Sequence, residues 1–135
     1  MKAVIDASIV LAALAPDEAS PAAMRTIEPF FLGGGHAPAL WSFEVANPLY
    51  WKVRRGLLSQ ATAEQALQSA YRIPLTFDQL SPAEVARDVV PLCWKHGLTT
   101  YDAAYLELAL RLAAPLASID NALIRAAAAE GVKVL

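Results

Sequence analysis

A single cysteine, Cys93, rules out an internal disulfide and any cysteine-based zinc site. The two histidines, His36 and His96, are too few and too far apart for a zinc cluster, so any metal bound here must be held by oxygen. His96 falls where a cation suits the last turn of a helix. Charge is scarce too: 18% of residues are charged against 56% hydrophobic, a composition too apolar for disorder and rich enough to leave apolar surface for a partner. Lysine and arginine number 11 against 13 acids, for a net charge of −2, which argues against a general, charge-driven nucleic-acid binder. It does not exclude an enzyme that concentrates carboxylates at its site and touches a few phosphates locally. Long apolar runs are missing as well. The longest uncharged stretch, Pro29 to Phe43, is short and broken by Gly33, Gly34, Gly35 and Pro38, so no transmembrane helix is expected. Nor does the start of the chain carry a basic region followed by an apolar stretch and cleavage site; the expected location is the cytoplasm. With no repeat and no low-complexity linker, residues 1–135 read as one domain.

What is present is an alternation of strand and helix patterns. Lys2 to Asp6 reads as a buried strand ending on an acid, and a short helix from Ser8 to about Leu14 is stopped by Pro16. Ser20-Pro21 opens a helix to about Leu32, with Pro29 awkwardly inside it, and the glycines lead into a strand from His36 to Ala39. Leu40 to Arg55 is helical in period and stops at Gly56, though Pro48 predicts a kink or a later start. Thr62 with Gln65 suggests a capping box for a helix to Tyr71, followed by a strand from Ile73 to Phe77. Ser81-Pro82-Ala83-Glu84 is the strongest helix start in the chain, and that helix closes at Gly97. A helix from Thr100 to Ala113, a strand from Leu116 to Ile119, a helix from Asn121 to Glu130 and a last strand from Val132 to Leu135 complete the series. The expected fold class is α/β, a central, mainly parallel sheet covered by helices on both faces.

In such a sheet the ligand crevice lies beyond the C-terminal strand ends, where this reading puts Asp6 and Asp120. Glu44 and Asp102, each early in a helix, can point toward the same edge. Taken singly, the acids have structural explanations: Asp102 favours a helix N-terminus, Asp120 suits an N-cap, and Asp6 suits a turn. Glu44, flanked by Trp41, Phe43, Val45 and Ala46, needs a partner if buried. Carboxylates gathered without compensation repel one another, so the constellation makes sense mainly around a hard cation such as Mg²⁺ or Mn²⁺. Such an ion generates a hydroxide-like nucleophile and stabilises charge on a phosphoryl oxygen, which suits phosphodiester hydrolysis.

The segments Val4-Ile-Asp-Ala-Ser8, Glu44-Val-Ala-Asn47, Thr99-Thr-Tyr-Asp-Ala-Ala-Tyr105 and Leu116-Ala-Ser-Ile-Asp120 together resemble the four motifs of PIN domains, in order and from end to end of the chain. The resemblance is closest to VapC-type toxins of toxin–antitoxin pairs. It implies an α/β/α sandwich whose acidic pocket binds Mg²⁺ or Mn²⁺ and cleaves RNA, a homodimer, a cognate antitoxin partner, and inhibition of translation and growth. Carried over by position, Asp6, Glu44, Asp102 and Asp120 are the expected catalytic and metal-holding acids. Ser118 stands where a hydroxyl supports the site, and Asn47 where a side chain orients Glu44. Pro48 and Ser118, the latter in place of the more frequent threonine, depart from the family pattern.

Two other classes compete. A receiver-like phosphoacceptor also carries acids at strand ends, but usually pairs two adjacent acids after its first strand and places a lysine at a late strand end. Here Asp6 stands alone and Lys133 is inside the final strand pattern. An inactive, binding-only relative is disfavoured by the presence of all four acids. Lys52, Arg54 and Arg55 form the densest basic group and are better explained as helix C-terminal cations than as RNA contacts. Trp41, Tyr50, Trp51 and Trp94 are expected in the core or an interface.

Overall fold

The computed structural model describes residues 2–135. Its centre is a strand so short that only burial explains it: β1 (Val4–Ile5) is fully shielded together with Ala3. It lies between β2 (Gly35–Pro38) and β4 (Leu116–Ala117), and β3 (Leu75–Asp78) completes an all-parallel, four-stranded sheet in the order β3-β2-β1-β4. Register is set by Val4 opposite both His36 and Leu116, and by Gly35 through Pro38 opposite Leu75 through Asp78. Parallel strands buried on both faces need apolar residues throughout, which is why β1 and β4 read as continuous hydrophobic runs rather than alternating ones. The final strand expected over Val132 to Leu135 shrinks to a single parallel bridge, Val134 beside Leu116.

Helices cover both faces. α1 (Ala7–Leu14), α2 (Pro21–Ile27), α4 (Trp41–Arg54) and α5 (Gln60–Tyr71) pack on one another. α8 (Thr100–Leu112) lies directly on β1, β2 and β4, flanked by α7 (Val90–His96) and α9 (Asn121–Ala129). The α/β architecture expected from the alternating pattern is therefore the one observed.

Prolines account for most departures from the expected boundaries. The helix drawn through Leu32 breaks at Pro29 into α2 and a one-turn α3 (Phe30–Gly33), since proline cannot donate to the preceding turn. Gly34 then takes φ +68°, and a Cβ there would stand 2.6 Å from the Pro74 carbonyl oxygen. Only glycine lets this chain turn so tightly onto β2. The helix opened by Ser81 is interrupted: α6 (Pro82–Glu84) passes into a π-turn over Val85–Val89 before α7. Pro91 has no N–H for the Arg87 carbonyl, and the widened turn just before it absorbs the defect. Pro48, by contrast, is tolerated inside an unbroken α4 that starts where the sequence pattern placed it. The capping box at Thr62 does not form. Ser59 caps α5 instead, its hydroxyl accepting the Thr62 N–H at 3.1 Å, which puts Thr62 in the first turn.

Candidate active site

Asp6 is the first residue after β1, its backbone still extended and its side chain 4% exposed. Its Oδ2 accepts two hydroxyl hydrogen bonds, from Ser8 at 2.6 Å and from Ser118 at 2.7 Å. Both hydroxyls are themselves committed. Ser118 Oγ accepts the Asp120 N–H at 3.0 Å, and Ser8 Oγ accepts the Ile119 N–H at 3.3 Å. The loop after β4 is thus stitched to the loop after β1 through two side-chain hydroxyls, and Asp6 is held in one orientation. Burial pushes its carboxyl pKa above the usual value, the two hydroxyls pull it partly back, and the charge of Asp120 adds to the rise.

Glu44 sits in the first turn of α4, half-buried, its Oε1 accepting the phenolic proton of Tyr105 at 2.7 Å. Tyr105 is completely buried and reaches Glu44 from α8. Burial raises the Glu44 carboxyl, Tyr105 opposes that rise, and the charges of Asp6 and Asp102 reinforce it. Burial and the same negative neighbourhood push the Tyr105 hydroxyl far up, so it remains a proton donor at any working pH. Asn47 does not orient Glu44. It is exposed on α4, and Tyr105 holds the carboxylate instead.

Asp102 lies in the first turn of α8 but does not cap it. Thr99 does, accepting the Asp102 backbone N–H at 3.1 Å, and its hydroxyl also hydrogen-bonds the Asp102 carboxylate and holds its pKa down against the other influences. Burial raises its pKa first, followed by the charges of Asp120 and Asp6. Asp120 divides its role. As the N-cap of α9 its Oδ1 accepts the Leu123 N–H at 2.8 Å, and its charge is felt by both Asp6 and Asp102.

Asp6, Glu44, Asp102 and Asp120 therefore share one electrostatic neighbourhood at the C-terminal edge of the sheet. What separates them from the paired acids of the scaffold is the absence of a cation. Asp17, Glu18, Asp78, Asp88, Glu107 and Glu130 each form an ion pair, whereas among the described residues none of these four does. Uncompensated charge of one sign, fixed by neutral hydroxyl donors, is a donor set that fits a hard divalent cation. Among the described residues no three His, Cys, Asp or Glu side chains form a closed ligand group. A Mg²⁺-type ion does not require one, since it keeps several waters and takes only one or two carboxylates directly.

Ser8 and Tyr105 lie inside the motif segments, yet their tasks escaped the sequence reading, since hydrogen-bond partners across elements leave no periodic signal; Thr99 capping α8 was open to it as a local Thr-x-x-Asp pattern. The Glu107–Arg111 pair was legible as i, i+4 spacing on a helix. Arg111 also bridges to Asp78, with guanidinium contacts of 2.6 and 3.0 Å.

A family model described as PIN domain matches residues 3–129. The chain belongs to the PIN-domain family. It is 37% identical over 123 residues to Ribonuclease VapC3 of Pyrobaculum aerophilum, covering 91% of this chain and 92% of that one. It is 33% identical over 132 residues to Ribonuclease VapC1 of Mycobacterium tuberculosis, covering 96% and 91%. The fold matches the crystal structure of PAE2754 from Pyrobaculum aerophilum with a TM-score of 0.71 at 22% identity, over 99% of this chain and 92% of that one. The resemblance drawn from the four segments is thereby established at the level of the VapC-type family.

Proposed function

We propose that this PIN-domain protein is a metal-dependent endoribonuclease acting as the toxin of a toxin–antitoxin pair, with Asp6, Glu44, Asp102 and Asp120 as its metal-holding and catalytic acids. The observation that carries this reading is the set of four carboxylates at one sheet edge with no cationic partner, three of them with raised proton affinity. The names of the VapC relatives support ribonuclease chemistry. No helix among the described residues is long and apolar enough to cross a membrane. A cognate antitoxin, a homodimer and arrested translation complete the proposal.

These acids would hold a Mg²⁺ or Mn²⁺ ion, which would supply a water of lowered pKa and positive charge toward the phosphoryl oxygens. The chain's own contribution is placement. Ser8 and Ser118 fix the Asp6 carboxylate by two charge-assisted hydrogen bonds, so its orientation costs no reorganisation when phosphate arrives. Tyr105 donates to Oε1 of Glu44 and favours its ionised form, which keeps the carboxylate available to a cation. Thr99 caps α8 and also hydrogen-bonds the Asp102 carboxylate, which steadies it beside Asp6 and Asp120.

Purified, antitoxin-free protein incubated with tRNA, rRNA fragments and mRNA in Mg²⁺ or Mn²⁺ is expected to cleave at least one class. Cleavage should vanish with EDTA and in Asp6→Asn. A folded protein that binds Mn²⁺ but cleaves none of them would point to the binding-only reading.

A further inference from the structure

Beside the acidic edge lies a cavity of about 310 Å³ that the proposed chemistry does not use. Its walls are apolar, among them Pro38, Leu40, Leu80 and Val89, and its rim is polar, with Gln79 and Thr100. Tyr101 also lines it, 60% exposed and immediately before Asp102. On α8 the cavity side is formed by Thr100, Ala104 and Glu107, while Asp102 and Tyr105 serve the acids; at about 100° per residue, Tyr101 stands between the two faces. Tyr101 is thus the lining residue next in the chain to the acids of the site.

Resting on the ribonuclease reading, we propose that this cavity is a nucleobase subsite, which takes the base of the nucleotide next to the cleaved phosphodiester, stacks it on Tyr101 and reads its edge with Gln79. Charge selects a base over a phosphate. Among the described residues no Lys, Arg or His lines the cavity, and its two acids, Asp78 and Glu107, are both held by Arg111, so nothing in the wall attracts an anion. A volume of this size, at the small end of ligand sites, suits one flat heteroaromatic ring rather than a peptide segment. Exposed aromatic faces bind bases by stacking, with hydrogen bonds at the base edge supplying the preference.

The test separates the subsite from the nuclease activity. Fluorescent RNA oligomers differing in one base at a time beside the cleavage site are bound to the cleavage-dead Asp6→Asn protein, followed by anisotropy, and cleaved by the wild type under steady-state conditions. Tyr101→Ala is expected to weaken binding in the Asp6→Asn background by about tenfold. In the otherwise wild-type protein it should raise KM similarly with kcat little changed, and flatten the base preference at one position. Tyr101→Trp should restore affinity, and Gln79→Ala should flatten preference with a smaller loss of affinity. If Tyr101→Ala leaves affinity and preference unchanged while the wild type cleaves RNA, the subsite is wrong and the nuclease stands. If the wild type cleaves nothing yet binding still depends on Tyr101, the base site stands and the nuclease falls. Absence of both binding and cleavage overturns the subsite along with the nuclease.

Discussion

Asp102 and Glu107 lie on the same helix, yet their carboxylates are held in opposite ways. Glu107, 6% exposed, is gripped by Arg111, which also reaches Asp78 at the end of β3 and so ties α8 to the sheet edge. Asp102, with Asp6, Glu44 and Asp120 around it, meets only N–H and O–H groups that carry no charge. An acid matched to a guanidinium has its charge answered within the fold and serves packing. An acid fixed by hydroxyls keeps its charge unanswered, and the fold accepts that cost where a cation is to come. The partner of each carboxylate separates site from scaffold better than its burial does, since Asp6 and Glu107 are almost equally hidden.

The largest effect that tests this contrast is expected from Asp6→Asn. Substituting even the groups that orient metal ligands costs about 10–100-fold, so loss of a ligand itself should lower cleavage by more than about a hundredfold. The amide can still accept from Ser8 and Ser118, so the fold survives. Because the lost charge was uncompensated, the metal-free variant should melt higher than wild type. A lower melting temperature would show that Asp6 is a structural acid like Glu107.

Arg111→Met is the mirror experiment. It leaves Glu107 buried without its cation, which for a fully buried pair costs about 3–5 kcal/mol. With the guanidinium side chain 41% exposed, solvent screens part of that, and a loss of about 2 kcal/mol in denaturant unfolding is expected. Adding Glu107→Gln should recover part of the loss. If cleavage per folded molecule also collapsed, the two carboxylate sets would not be independent.

Tyr105→Phe removes the hydroxyl that holds Glu44 while keeping the ring in the core. Divalent-ion affinity should fall by about tenfold, read by Mn²⁺ titration, with little change in melting temperature. Unchanged affinity would mean that Glu44 needs no orienting partner.

A smaller effect, fixed here only in direction, comes from pH. The carboxyls of Asp6, Glu44 and Asp102 are all raised on folding, so the native state holds their protons more tightly than the unfolded chain does. Their contribution to stability therefore falls as pH rises from the unfolded carboxylate range through the raised native values, and stays at the lower level above them. Metal-free protein should show this decline over mildly acidic pH, and Asp6→Asn should flatten it. Saturating Mn²⁺ should reverse the decline, because the ion binds only the ionised native form. A pH-independent melting temperature with and without metal would contradict the uncompensated site.

Much of this was legible in the sequence. The strand patterns placed Asp6 at the end of β1, where it stands, and Asp120 at the end of a strand through Ile119, whereas β4 stops at Ala117 and Asp120 caps α9. The helix start at Ser81 was equally plain, its capping box being local chemistry. What stayed hidden was non-local. The pairing of Ser8 and Ser118 on Asp6 joins residues from opposite ends of the chain, and the reach of Tyr105 to Glu44 joins α8 to α4. The π-turn was missed because Pro91 lies inside a pattern that otherwise reads as a continuous helix.

The smallest expected effect concerns Lys52, which sequence spacing grouped with Arg54 and Arg55 as a basic cluster. The fold takes it out of that cluster: its ammonium lies 2.6 Å from Asp17 and 2.9 Å from Glu18, both in the loop after α1. Here, as at Arg111, acids outside the four-carboxylate set have their charge answered within the fold. These are partly exposed pairs, screened by salt, so Lys52→Met should cost less than about 1 kcal/mol, and less still at high ionic strength. RNA affinity should stay unchanged, because a lysine already satisfied by two carboxylates has little charge to offer a phosphate. A drop in RNA affinity without loss of stability would return Lys52 to the substrate side, and would show that an acid's cationic partner can be lent to a ligand rather than locked in the scaffold.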